Sequence, residues 1–130
     1  MKFVPKEWLQ VKRSRTGLGI FTKEPIAKGV RVLEYTGEKI TNQEADRRGG
    51  RYLFEVNSRY TIDGKGRENL ARYANHSCDP NCEAIEDRGR VYIDTRRKVR
   101  ANEELTYDYG QAYTVEIIGP EGCRCQVCIP

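Results

Sequence analysis

The sequence has no hydrophobic run that approaches the roughly 20 residues needed to cross a lipid bilayer. Residues 1–13, MKFVPKEWLQVKR, carry too many charges and too few apolar side chains for a secretory signal peptide. We therefore expect a protein that is not secreted, has no membrane partner and keeps its cysteines reduced. The expected location is cytoplasmic for a prokaryotic protein and nuclear for a eukaryotic or viral one.

The chain also lacks a large charge excess. Its 130 residues include 23 basic and 19 acidic side chains, which leaves a net charge of +4. This excess is too small and too dispersed to indicate nucleic-acid binding by itself, so any contact with nucleic acid or a nucleosome is expected to be weak. The 38% hydrophobic and 32% charged residues are typical of one folded domain with a modest core.

Long helical patterns are scarce, and short strand-like stretches separated by turn residues dominate. Only residues 42–48 and 67–75 have a pattern that favours a helix. The segment EDRGRVYI predicts a hairpin that turns at Asp87-Arg88-Gly89. The sequence therefore predicts a mainly β domain built from several small sheets. The predicted strands are 18–22, 30–37, 51–56, 59–63, 83–87 and 90–95.

Histidine is nearly absent, which limits the chemistry that the chain can perform. The one histidine, His76, lies two residues before Cys78 in ARYANHSCDP, residues 71–80. A nucleophile and its general base usually come from separate parts of a chain, so this pair does not favour a cysteine hydrolase. We expect the side chains of His76 and Cys78 to point in different directions and to act separately.

The five cysteines are too unevenly spread for a disulfide framework. Cys123, Cys125 and Cys128 fall within the polar segment CRCQVC near the end of the sequence, and an odd number cannot all pair. This spacing is typical of ligands of a tetrahedral zinc ion, whose fourth ligand could come from Cys78, Cys82 or His76. Four protein ligands would leave no open position, so the predicted zinc is structural rather than catalytic.

Two further motifs are ambiguous when each is taken alone. TGLGIF, residues 16–21, has two glycines that would let its backbone approach a ligand, but it lacks the third glycine of a dinucleotide-binding loop. ELTYDYG, residues 104–110, places Tyr107 and Tyr109 on one face of an extended segment. That pattern fits either a half-buried core strand or the wall of a channel lined by tyrosines.

In combination, these motifs resemble the SET-domain protein lysine methyltransferases that carry a post-SET tail. The resemblance runs in order from residue 16 to residue 128, through TGLGIF, EYTGE, RYLFEV, YTIDG, NLARYANHSCDPNCEA, EELTYDYG and CRCQVC. It implies a SET fold, which is several small β-sheets around a pseudoknot, with short helices and a C-terminal zinc knuckle. The implied division is a SET catalytic domain at 1–110 and a post-SET cysteine tail at 111–130.

The resemblance also implies a binding site for S-adenosylmethionine and a structural zinc ion. The cofactor would lie against the backbone at Leu18 and Gly19, and the tail would close over it. Cys82 is left without a role, although it could substitute for Cys78. The implied cofactor contacts are Leu18, Gly19, Tyr52, Arg72, Asn75, the backbone of His76, and Arg124. The implied zinc ligands are Cys78, Cys123, Cys125 and Cys128.

The implied protein substrate is a lysine side chain, expected on a histone or a histone-like basic protein. It would enter a channel lined by Tyr35, Tyr107 and Tyr109, with Tyr109 as the essential tyrosine. Tyr107 occupies the family's Phe/Tyr switch position, which predicts mainly mono-methylation. The alternative is a catalytically inactive SET module that binds a lysine-containing or nucleosomal partner, and the complete tyrosine set argues against it.

Overall fold

A computed structural model of the chain describes residues 3–14 and 17–109. The predicted tail at 111–130, with Cys123, Arg124, Cys125 and Cys128, lies outside the described residues. The division into 1–110 and 111–130 therefore stays a prediction.

Short strands are the main regular structure of the described residues, which also contain one α-helix, α1 (Asn42–Arg48), and two 3-10 helices, Lys6–Trp8 and Leu70–Tyr73. The strands are β1 (Leu9–Ser14), β2 (Gly17–Thr22), β3 (Arg31–Tyr35), β4 (Glu38–Thr41), β5 (Leu53–Glu55), β6 (Tyr60–Asp63), β7 (Asn75–His76), β8 (Cys82–Asp87), β9 (Arg90–Thr95) and β10 (Glu104–Tyr107). None of the helices in the described ranges is long and apolar enough to span a membrane.

The strands form three small sheets, with the orders β1-β2-β10-β7, β3-β9-β8 and β4-β6-β5. All neighbouring strands pair antiparallel except β10 and β7, which run parallel. The predicted class, a mainly β fold of several small sheets, is confirmed. β10 lies between β2 and β7, so the motif ELTYDYG lies beside Asn75 and His76.

One hydrophobic cluster joins the first two sheets and the second 3-10 helix. On β9 the buried side chains alternate, with Val91 and Ile93 facing inward, as the two-residue period of a strand requires. Ile20 on β2 and Leu105 on β10 are register partners and are almost completely buried. Because burial of such side chains is the main stabilising term, this contact holds β10 against β2.

The predicted hairpin and the first predicted helix are confirmed. β8 and β9 pair from Cys82 to Thr95, and the connecting Arg88 and Gly89 have φ angles of 55° and 83°, as a two-residue type I′ turn requires. Helix α1 begins after Thr41, whose hydroxyl accepts a hydrogen bond from the Glu44 amide at 3.1 Å. The helix ends before Gly49, where φ is 64°.

The second predicted helix, 67–75, is wrong. Only Leu70–Tyr73 is helical, as a 3-10 turn, and Asn75–His76 form β7 instead. The buried side chain of Asn69 bonds the Thr36 amide and the Gly64 carbonyl, which fixes the start of the turn. Pairing with β10 then draws the following residues into a strand, so tertiary contacts override the local helical pattern.

The sequence reading missed β1 and β4, and both omissions have the same cause. Each strand has too few apolar residues for an alternating pattern, and β4 buries only Ile40. Their backbones are organised by the neighbouring strands, β2 and β6, rather than by their own side chains.

Asn81 fastens β10 to the segment that contains β7. Its amide nitrogen donates to the Glu104 carbonyl at 2.7 Å and to a Glu103 carboxylate oxygen at 3.1 Å. Its amide oxygen accepts from the Thr106 backbone at 3.0 Å. The side chain is 2% exposed, so each of these groups would be unsatisfied if Asn81 were lost.

We expect Asn81→Asp to lower the free energy of unfolding by about 3 kcal/mol, because it buries an unpaired carboxylate that can no longer donate to Glu104 or Glu103. Urea unfolding followed by the fluorescence of Trp8, the single tryptophan, measures the change. Asn102→Asp is the matched control: this residue is exposed, and the substitution should cost less than about 0.5 kcal/mol. An equal effect of the two substitutions would contradict the assigned role of Asn81.

Candidate functional site

A cavity of about 240 Å³ lies where the first sheet, the second 3-10 helix and β5 approach one another. It brings together seven of the residues predicted from the sequence: Leu18, Tyr35, Tyr52, Arg72, Asn75, Tyr107 and Tyr109. Three lining residues, Gly17, Arg51 and Tyr73, were not predicted. Gly17 is nevertheless one of the two glycines of TGLGIF, the motif expected to approach a ligand. Arg51 and Tyr73 reach the cavity only because distant segments meet, and no local pattern marks them.

Asn75 links three elements at one side of the cavity. Its amide nitrogen donates to the Leu18 carbonyl at 2.9 Å and to a Glu104 carboxylate oxygen at 2.8 Å, and lies 3.2 Å from the Ser14 hydroxyl. These three acceptors share the two hydrogens of the amide. The side-chain nitrogen of Asn75 therefore fixes the backbone at Leu18. The groups of Asn75 that could contact a ligand are its side-chain oxygen and its backbone.

The prediction that the backbone of Gly19 approaches the cofactor stays a prediction, but the space beside its Cα is filled by protein. A Cβ at this position would overlap the Glu104 carboxylate and lie 3.0 Å from the Ser14 Cβ. Gly19 does not line the cavity, whereas Gly17 does, with a φ of 122° that favours glycine. Burial raises the pKa of Glu104, and the hydrogen bond from Asn75 opposes that shift.

Arg72 presents a cationic group with an unused donor. Its guanidinium lies 4.3 Å from the ring centroid of Tyr52 and 5.1 Å from that of Tyr73, and one terminal nitrogen donates to the Lys65 carbonyl. Its buried Nε has no hydrogen-bond partner within the described part of the chain. A carboxylate or another acceptor bound in the cavity would satisfy this donor, so the site suits a ligand such as S-adenosylmethionine.

The other side of the cavity is aromatic. Tyr35 and Tyr107 are 3% and 5% exposed and belong to the core cluster. The core-strand alternative that the sequence left open for Tyr107 and Tyr109 is therefore correct for Tyr107, although both tyrosines also line the cavity. The rings of Tyr107 and Tyr109 lie 4.9 Å apart at 55°. Phe54, which the sequence reading missed, packs 5.3 Å from the ring of Tyr35 and 6.5 Å from that of Tyr107.

Two of the tyrosine hydroxyls are held by backbone carbonyls. Tyr35 donates to the Tyr52 carbonyl at 2.8 Å, and Tyr109 donates to the Ala74 carbonyl at 2.6 Å. A phenol has one hydrogen to donate, and in these two side chains that hydrogen is directed at a backbone carbonyl. The orientation of both hydroxyl groups is therefore fixed by the fold.

The expectation that His76 and Cys78 point in different directions is wrong. The His76 Nε2 atom lies 3.5 Å from the Cys78 sulfur. The strand β7 ends at His76 and the chain bends at Cys78, which brings the two side chains together. The His76 side chain is 5% exposed and does not line the cavity, and its Nδ1 accepts a hydrogen bond from the Tyr109 amide at 3.0 Å.

The three candidates for the fourth zinc ligand differ in the structure. Cys78 is exposed, so its sulfur can be reached by other ligands of the metal. Cys82 is buried, and burial raises its pKa to about 12, which disfavours the thiolate that zinc requires. His76 accepts at Nδ1, so its neutral ring carries the proton on Nε2, and this protonated nitrogen cannot bind a metal.

The donor set fits zinc only if the tail completes it. Among residues 3–14 and 17–109 there is no group of three His, Cys, Asp or Glu side chains that could hold a metal ion. Cys78 alone is not a site, and Cys123, Cys125 and Cys128 lie outside the described residues. Four thiolates from Cys78 and the tail form a set that suits tetrahedral zinc.

The comparisons with known proteins agree with this arrangement. The SET domain family matches residues 17–110, so the chain belongs to the SET domain family. The predicted family is confirmed, and the matched range contains every described residue of the cavity wall.

Its relatives include chains named as histone-lysine methyltransferases. The Drosophila melanogaster histone-lysine N-methyltransferase SETD1 is 37% identical over 95% of this chain and 9% of its own length. The H3 lysine-4 specific enzyme of Candida albicans is 38% identical over 82% of this chain and 11% of its own length. Human SETD1B is 34% identical over 95% of this chain and 7% of its own length. The chain therefore spans about a tenth of the length of these relatives.

We expect Cys82 to resist alkylation in the folded protein at pH 8. With a pKa of about 12, only about one thiol in ten thousand is ionised, and burial also keeps the reagent away. Treatment with iodoacetamide, with and without a zinc chelator, followed by fragmentation of the tryptic peptide 73–88, distinguishes Cys82 from Cys78. Unfolding in urea is the positive control, and alkylation of Cys82 after metal removal alone would contradict its burial in the core.

Proposed function

We propose that the chain is a protein-lysine methyltransferase that uses S-adenosylmethionine and acts on a histone or histone-like tail. The observation that carries this proposal is one cavity lined both by the polar side chains of Arg72 and Asn75 and by the tyrosines Tyr35, Tyr107 and Tyr109. The relatives, which are named as histone-lysine methyltransferases, support the reaction and the substrate class. In a eukaryotic cell such a substrate would place the protein in the nucleus.

The polar side would hold the methyl donor. Leu18, Tyr52, Arg72 and Asn75 line it, and Arg72 offers its Nε to an acceptor on the ligand. His76 would contribute through its backbone and Arg124 from the tail. When bound, S-adenosylmethionine supplies a methyl group activated by its positive sulfur.

The tyrosine side would hold the target lysine. A lysine ammonium has no lone pair, so the reacting form is the neutral amine, and both desolvation and a nearby positive charge lower the lysine pKa. The oxygens of Tyr35 and Tyr109 donate their hydrogens to backbone carbonyls and so can accept hydrogen bonds from the amine. The protein would then contribute mainly by aligning the amine with the methyl group. Such alignment can lower the reaction barrier by about 7 kcal/mol or more.

The tail would serve a structural purpose. Cys78 with Cys123, Cys125 and Cys128 would bind one zinc ion, and the exposure of Cys78 beside β7 supports this set. Because Asn75 and His76 immediately precede it, a metal there would join the tail to the polar side of the cavity. Contact with nucleosomal DNA is a weaker part of the proposal, since it depends only on the modest positive charge.

We expect Tyr109→Phe to lower kcat for methyl transfer by about 100-fold or more, because it removes a fixed hydrogen-bond acceptor next to the amine. Transfer of radiolabelled methyl groups to histones measures the rate, and calorimetry with S-adenosylmethionine should show affinity within about twofold of the wild type. Tyr60→Phe is the control, since Tyr60 is exposed and does not line the cavity.

The same assay separates the enzyme from an inactive SET module. A wild-type protein that binds a histone tail and transfers no methyl group would support the inactive module. Absence of both cofactor binding and transfer would contradict the proposed function altogether.

We further propose that the reaction stops mainly after one methyl group. Tyr107 is buried against Tyr109 and Phe54, where little room is left for a methylated amine to rotate. We expect Tyr107→Phe to shift the product toward di-methylation because it removes the hydroxyl from this space. Intact mass of reacted histone peptides measures the product, and Tyr92→Phe on β9 is the control. An unchanged product distribution would refute the role of Tyr107.

A further inference from the structure

We propose that the imidazole of His76 is a positioning residue, which holds the backbone amide of Tyr109 in place and thereby sets the location of the Tyr109 phenol. This inference rests on the proposed function in one respect, namely that Tyr109 contacts the reacting amine. The hydrogen bond on which it depends, from the Tyr109 amide to His76 Nδ1, is a feature of the fold.

The parallel ladder between β10 and β7 stops just before Tyr109. Its register partners are Thr106 with Asn75 and Tyr107 with His76, and the Ser77 amide bonds the Tyr107 carbonyl at 3.2 Å. Two residues further along the chain, the Tyr109 amide donates to the side chain of His76. The imidazole therefore accepts a hydrogen bond that a backbone carbonyl would accept if the ladder continued. It anchors the chain at Tyr109, two residues beyond the end of β10.

The two residues that flank Asn75 in the sequence, Ala74 and His76, both accept hydrogen bonds from Tyr109. The Ala74 carbonyl accepts its hydroxyl at 2.6 Å, and the His76 ring accepts its amide at 3.0 Å. The His76 and Tyr109 rings also pack, with centroids 5.3 Å apart. Asn75 itself donates to the Leu18 carbonyl. Ala74, Asn75 and His76 therefore contact two residues of the cavity wall, Leu18 and Tyr109.

The other ring nitrogen keeps the imidazole in this orientation. Since Nδ1 accepts, the neutral ring carries its proton on Nε2, which lies 3.5 Å from the Cys78 sulfur and can donate a weak hydrogen bond to it. The ring is 5% exposed, and the Asp108 carboxylate lies 3.6 Å from Nδ1, beyond hydrogen-bond distance. His76 thus joins the Tyr109 amide on one side to Cys78 on the other.

Two substitutions separate the functions of the two nitrogens. In His76→Asn, the amide oxygen can occupy the position of Nδ1 and accept from Tyr109, but nothing reaches Cys78. In His76→Gln, the amide nitrogen can reach toward Cys78, but the acceptor for Tyr109 is lost. We expect His76→Gln to lower kcat about tenfold or more relative to His76→Asn, with similar KM values for S-adenosylmethionine in the two variants.

Amide hydrogen exchange provides a readout that does not depend on activity. Measured by NMR on the full chain, the Tyr109 amide should exchange slowly in the wild type and in His76→Asn, and about tenfold or more faster in His76→Gln. The Leu105 amide in β10 is the internal control and should exchange at one rate in all three proteins. Zinc content, measured by mass spectrometry of the metal, should be the same in all three.

Equal exchange of the Tyr109 amide in the two variants would overturn the inference, whatever the activity. Loss of zinc from His76→Asn and His76→Gln alike would also overturn it, because His76 would then act as a metal ligand. A wild-type protein without methyl transfer, but with the expected exchange pattern, would refute the proposed function while supporting the hold of His76 on Tyr109.

Discussion

The candidate site depends on the hydrogen bonds that Asn81 makes to the backbone of β10. Its buried side-chain amide donates to the Glu104 carbonyl and accepts from the Thr106 amide. These two backbone groups flank Leu105. This places β10 against β7, although 25 residues of sequence separate Asn81 from Thr106. Together with the pairing of Thr106 with Asn75 and of Tyr107 with His76, this contact brings ARYANHSCDP and ELTYDYG to one surface.

Much of the site is fixed before any ligand binds. The hydroxyls of Tyr35 and Tyr109 are oriented by carbonyls, and the Asn75 amide by Leu18 and Glu104. Such contacts let a site act on its ligands with little reorganisation, which is the main way in which a protein without an evident general base can accelerate a reaction. Arg72 is the exception, because its Nε has no partner among the described residues.

The sequence predicted those parts of the fold whose signals are local. Helix α1 has a capping threonine and a terminal glycine, and the β8–β9 hairpin has its turn residues. Most of the cavity was predicted from motifs that resemble a family. Residues 67–75 failed as a helix because Asn69 and β10 compete for that backbone, and the contact of His76 with Cys78 was missed because the strand alternation was misapplied.

The placement of Ala74, Asn75 and His76 has a consequence for motion. Ala74 and His76 hold Tyr109, which is proposed to face the methyl acceptor, and Asn75 holds the backbone at Leu18, which is proposed to face the donor. A thermal displacement of this tripeptide would then move both of these contacts in the same direction. Under the proposed function, the distance between the two reactants would fluctuate less than the position of either one, so a small domain could keep a reactive alignment without being rigid throughout.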